Sequence, residues 1–200
     1  MKEKGLPIKT IAIEIISVVF AVLFALGVNE WRKNINNEEL AEVAVSNILS
    51  EIDKNRESLD TTLTNHRHSL EIFKKNINWI KNNEDIRENP EVSFNVITST
   101  SWETAMLTDA VNYMDYELVS ELADLYSQQK LYTDLVNKVM EHFIFDEAPD
   151  EKNMELYLTR KFYIYLTKLL GIEEQFFDSI KEFQEKHKAL IKKYKKSPDE

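Results

Sequence analysis

The chain opens on an unbroken apolar run before any periodic pattern begins. Residues 11–28 are apolar except for Glu14 and Ser17, and Lys2, Lys4 and Lys9 precede them. At 1.5 Å per residue the run makes a helix of about 27 Å, against about 30 Å for a hydrocarbon core. It predicts one transmembrane helix at 11–28 behind a short flank at 1–10. A cleaved leader, processed near Ala25-Leu26-Gly27, is the competing reading. The run is long for such a leader, and no helix breaker precedes the polar stretch beyond it.

Beyond the run the pattern turns periodic. From Val45 the chain steps by fours and threes through Leu49, Ile52, Arg56, Leu59, Leu63, His66, Leu70, Phe73, Ile77 and Ile80. That heptad seam, with no proline or glycine between Gly27 and Pro90, predicts a long helix over 29–81 continuing from the span. Asn82-Asn83 and Asn89-Pro90 mark 82–99 as a loop. Helices completing a bundle fill 100–194. The capping-box form Thr100-Ser-Trp-Glu103 starts a short one ending near Val111. Asp115 caps the next, to Phe145, with a seam of Leu118, Leu122, Leu125, Gln129, Tyr132, Val136, Val139 and Phe143. After the Ala148-Pro149-Asp150 break, a last helix carries Leu158, Phe162, Tyr165 and Leu169. Gly171 ends or kinks it, and Phe176, Ile180, Phe183, His187, Leu190 and Tyr194 resume the seam. Residues 195–200 are a tail. The expected fold is all-α: one transmembrane helix, then an antiparallel bundle of long helices with coiled-coil-like seams.

Composition narrows this picture. Three Gly and four Pro are too few for a many-stranded sandwich or barrel or for a Gly-rich phosphate loop. With no Cys there is no disulfide framework and no thiolate metal site. The net charge of −10 is unevenly spread: five basic and three acidic residues at 1–33, thirteen and twenty-eight at 34–180, seven and four at 181–200. The acidic middle repels phosphate backbones, so nucleic acid is not an expected partner.

Trp31, Arg32 and Lys33 sit where a membrane-interface anchor belongs. At 100° per residue Glu14, Ser17, Ala21 and Ala25 share one face of the span. Small residues there let two backbones approach, making this face a candidate helix–helix interface. Alternatively Glu14 reaches the headgroups beside Lys9. The three lysines on the short flank put the N-terminus in the cytoplasm and the C-terminal domain outside the inner membrane.

Chemistry is sparse. No His carries a Glu three residues before it, as a di-iron bundle requires, and no hydrolase or nucleotide motif occurs. Arg56, His66, Gln129 and His187 read as polar register-setters within apolar seams. Asp146, Glu147, Asp150 and Glu151 lack the order of a calcium loop, and the lysines at 186–196 suit a helix C-terminus. No catalytic residue, metal or cofactor is therefore expected.

Glu14, Ala21, Ala25-Leu26, Val28-Asn29 and Trp31, followed by a long charged helix, resemble an uncharacterised family of single-span bacterial membrane proteins, of the type frequent in Bacteroidetes. A looser likeness covers Trp102 to Tyr126. Ala21 and Ala110 stand where that pattern has Gly. The resemblance implies architecture and a bacterial inner-membrane location, with no activity. The expected function is a non-enzymatic membrane-anchored scaffold or accessory subunit of a membrane complex. Its expected partners are the lipid bilayer and a second copy or another membrane protein. An extracytoplasmic helical sensor acting through a partner is the alternative.

Overall fold

The computed structural model describes the backbone of residues 8–82, 84, 88–145 and 154–195, and their side chains except at 8–16, 142–145 and 195. The described residues are all helix, turn or extended connection, without a strand. Helix α1 spans Ile8–Lys81, α2 Thr100–Leu107, α3 Tyr116–Phe145, α4 Met154–Lys186 and α5 Lys188–Lys195, and a 3-10 turn covers Ala110–Tyr113. The all-helical bundle is as expected.

The predicted span and the long helix are one element. Among the described residues no helix is long and apolar enough to cross a membrane. Of the run at 11–28, side chains are described only for 17–28, about 18 Å of helix.

Inside the bundle α4 packs along α1 and α3. Cross-links fix the directions. Descending α1 through His66, Asp53 and Glu42 meets Glu173, Gln184 and Lys193 in ascending order, so α4 and α5 run antiparallel to α1. Glu51 meets Tyr126 and Asn55 meets Gln129, so α3 runs parallel to α1. The expected wholly antiparallel arrangement is thus corrected at α3. The described part of the loop, 88–99, is not local; it runs back along α1 toward the end where α1 entered the bundle. Its length suffices: 88–99 in extended form covers about 40 Å, and 51–76 of α1 about 39 Å.

The α3 seam is buried where expected, at Leu118, Leu122, Leu125, Gln129, Tyr132 and Val139. The α1 seam is buried as expected at Val45, Leu49, Ile52, Leu59, Leu63, His66 and Phe73, but its centre is shifted: Ala41, Ile48, Asn55, Thr62, Ser69 and Asn76 are buried as well, and Arg56, Leu70, Ile77 and Ile80 are only half-buried. On α4 the line moves by one residue, to Thr159 and Leu166 in place of Leu158 and Tyr165, and includes Glu173. The expected helix end at Gly171 does not occur. Gly171 is exposed within continuous helix, and α4 gives way to α5 at His187 instead.

Two starts also differ in detail. Ser99 rather than Thr100 precedes α2, and the Ser99 hydroxyl donates to the Glu103 carboxylate at 2.6 Å. The Ser101 amide at this helix start donates to Glu51 of α1 at 2.9 Å. Asp109, in the left-handed region at φ 59°, separates α2 from the 3-10 turn, so the short helix stops before Val111. Asp115 caps α3 as expected, accepting from the Glu117 and Leu118 amides at 2.9 and 3.1 Å.

Candidate functional site

The polar half of the α1 line explains its shift. Asn55, Thr62, Ser69 and Asn76 recur every seven residues, about 10.5 Å apart along a helix. Three residues of extended chain cover about 10 Å. The two repeats match. Asn55 Nδ2 donates to the Thr98 carbonyl at 2.7 Å, and its Oδ1 accepts from the Thr98 amide at 2.9 Å. Thr62 Oγ1 accepts from the Asn95 amide at 3.4 Å. Ser69 donates to the Glu91 carbonyl at 2.6 Å, and Asn76 Nδ2 to that of Glu88 at 2.9 Å. An extended segment without a sheet has no ladder for its backbone groups. This stripe supplies partners, as burial beside a helix demands.

Glu51 joins four elements where this strap meets α2. Its carboxylate accepts from Tyr126 Oη at 2.7 Å, from the Ser101 amide and from Thr98 Oγ1 at 3.2 Å. A carboxylate 7 % exposed is tolerated because three donors replace water. Burial, and then the adjacent Glu51 charge, push the Tyr126 phenol well above the ordinary tyrosine range. Tyr126 also stacks on Trp102, with ring centroids 5.4 Å apart. The pair floors an open cleft of about 710 Å³ between α2 and α3.

Deeper in the bundle, His66 Nδ1 lies 2.9 Å from Glu173 Oε2, and neither side chain has any solvent exposure. The Phe94 ring of the strap meets His66 edge-on at 4.9 Å. Tyr132 of α3 lies beside the same carboxylate; burial first, then Glu173, raise its phenol. His66 Nε2 and Glu173 Oε1 have no hydrogen-bond partner. With both groups sealed from solvent, this pair joins α1 to α4 and is closed to any substrate.

A third cluster closes the opposite end. His187 Nε2 lies 2.6 Å from Glu121 Oε2, and Lys186 pairs with Glu117 and Glu121. The Lys186 ammonium, and then His187, hold the Glu121 carboxyl below its ordinary value of 4.5, against a smaller opposing effect of burial. A lowered pKa stabilises the fold above the ordinary carboxylate range and loses that effect as pH falls through the folded-state value. Glu121→Gln is therefore expected to flatten the acid side of the melting-temperature profile, read by circular dichroism from neutral pH downward. An unchanged acid limb refutes the assignment.

Of the residues singled out from sequence, Ser17, Ala21 and Ala25 lie on exposed α1, and Trp31, Arg32 and Lys33 are exposed beyond them. The side chain of Glu14 and the cluster at 146–151 lie outside the described residues. His66 and His187 hold helices together, as register-setters should. Among the described residues no three His, Asp or Glu side chains gather as a metal site. Glu51, Glu173 and the polar stripe were missed; the seven-residue recurrence of Asn55, Thr62, Ser69 and Asn76 was the stripe's signal, and the two glutamates had none. No family model, curated protein or solved structure matches this chain.

Proposed function

We propose that the chain is a non-enzymatic, membrane-anchored helical scaffold or accessory subunit, held in a bacterial inner membrane by residues 11–28 and associating with itself. The observation that carries this reading is the first part of α1. From Val18 to Val28 every large apolar side chain is exposed, Phe20 at 69 % and Phe24 at 64 %, although those two rings stack on each other along the helix. A lone helix exposing apolar groups on all sides needs an apolar solvent or another protein. In this reading Glu14, at the entry of the span, hydrogen-bonds a second copy, with Ser17, Ala21 and Ala25 as the close-approach face. The N-terminus is assigned to the cytoplasm and the bundle to the far side, following Lys2, Lys4 and Lys9. The resemblance to single-span bacterial proteins points the same way.

The test combines location with association. The full chain is expected to stay with membranes through alkaline carbonate washing and to release when 11–28 is deleted. Ala21→Leu should weaken dimerisation of the isolated span in a membrane two-hybrid assay, because it adds bulk at the closest approach. Val22→Leu, 100° round the helix, should not. Equal behaviour of the two variants refutes the face, and release of the intact chain by carbonate refutes the anchor.

A helical sensor acting through a partner is the second reading, favoured by the Trp102–Tyr126 cleft. Its size falls in the range of small-molecule sites. Tyr126 bonds directly to Glu51 on the helix that would enter the membrane.

A further inference from the structure

Between the apolar run and the bundle, α1 stands alone. Among the described side chains of α1 the first buried one is Ala41, and 29–40 are exposed apart from half-buried Asn37. This stalk is about 18 Å of helix. It holds Asn29, Asn34, Asn36 and Asn37, all poor helix formers, so α1 continues through it against local propensity. Neither propensity nor packing within the chain accounts for it.

One line of side chains supplies a reason. Ala21, Phe24, Val28, Trp31 and Ile35 advance by threes and fours, and the last four are 64 %, 41 %, 66 % and 45 % exposed. Continued upward, the line reaches Glu38 and Glu42, where the chain covers itself. Leu190 and Tyr194 of α5 share a depression with both glutamates, and Lys193 pairs with Glu42 at 3.0 Å. Below Glu38 the line is open.

We infer that a second copy of this chain covers it, the two α1 helices pairing in parallel through Phe24, Val28, Trp31 and Ile35. The parallel sense rests on the membrane-anchored reading, since two copies entering one bilayer the same way point the same way. Parallel pairing sets each seam residue against its own counterpart. From Ala21 to Ile35 all five positions are apolar, so no charge is desolvated. At the flanks Arg32 faces Gly27 of the other copy and Asn34 faces Glu39, without like charges opposed. The neighbouring line through Ala25 and Arg32 sets Arg32 on Arg32. β-Branched Val28 and Ile35 occupy the positions where such residues favour two strands over three or four.

The absence of cysteine makes the seam directly testable. Single cysteines replace Val28, Trp31 or Ile35 on the seam, and Glu30, Lys33 or Asn37 on the opposite face, in the full chain. The variants are reconstituted in phosphatidylethanolamine–phosphatidylglycerol vesicles and mildly oxidised. All three seam positions are expected to form disulfide dimers roughly tenfold faster than the other three, because only there do the Cβ atoms come within bonding range. Equal rates round the helix, a maximum on the Glu30 face, or cross-linking at a single seam position overturns the inference. Flotation of the same samples reads the anchor separately. Chains that float without the pattern overturn the seam alone; chains that keep the pattern without floating support the seam and overturn the anchor.

Discussion

His66→Leu is expected to cost about 3–5 kcal/mol of bundle stability, read by urea unfolding of the full chain followed by circular dichroism. The substitution leaves Glu173, with no solvent exposure, facing a methyl group where the His66 imidazole stood, with the Tyr132 phenol as its remaining polar neighbour. A buried carboxylate stripped of its partner carries its whole desolvation penalty. Glu173→Leu should behave similarly, since both ring nitrogens of His66 then lack partners. His66→Leu combined with Glu173→Leu should recover most of the loss, because apolar residues of similar volume substitute for buried ion pairs at little net cost. The informative quantity is the coupling, the amount by which the double variant falls short of the two single losses added together. Additive losses would show that the two side chains do not act as a pair.

Recovery in that double variant bears on why the pair exists. If apolar residues serve stability as well, the pair contributes specificity. It fixes which turn of α1 meets which turn of α4, in seams whose other layers are interchangeable Leu, Ile and Phe. His187 with Glu121 has the same role at the far end, linking α3 to the junction of α4 and α5. His66 and Gln129 were recognisable from sequence as polar interruptions of apolar seams. Their partners were not, because Glu173 lies between Leu169 and Phe176 in a chain with 35 acidic residues. A glutamate on a helix reads as solvent-facing unless its partner is known.

The helices themselves were legible for a simple reason. Where every seam position is apolar, as on α3 from Leu118 to Leu125, period and phase are both visible. On α1 the period was visible and the phase only in part. Leu49 and Leu63 are buried where the seam placed them, whereas Leu70 is half-buried and the buried line through Asn55, Thr62, Ser69 and Asn76 went unseen. Hydrophobicity places a helix against other helices. It gives no account of a face that must satisfy an extended backbone. The direction of α3 was lost with it, because a return path along α1 appears in the sequence only as a long loop. Connections of that length without regular structure are unusual in compact domains, and that was the available warning.

Asn55→Ala tests whether the strap depends on this stripe. Asn55 is 4 % exposed and closes both backbone bonds of Thr98, while its Nδ2 also lies 3.3 Å from Gln129 Oε1. Alanine leaves an amide and a carbonyl without partners at a part-buried site, each costing about 1–3 kcal/mol unless water enters. The expected total is about 2–6 kcal/mol on the same scale. Asn65→Ala is the control. It removes one exposed bond, to the Ser93 amide at 3.2 Å, and should stay within about 0.5 kcal/mol of the native chain. Hydrogen exchange separates loss of the strap from loss of the bundle. In Asn55→Ala the Thr98 amide should exchange faster while amides in the middle of α4 keep their protection, since Leu169, Phe176 and Ile180 pack α4 against α1 and α3, with Phe94 and Ile97 of the strap only partly buried against that core. Uniform loss of protection would make the strap part of one cooperative unit with the helices. Unchanged exchange at Thr98 would mean that the stripe lies beside the strap without holding it.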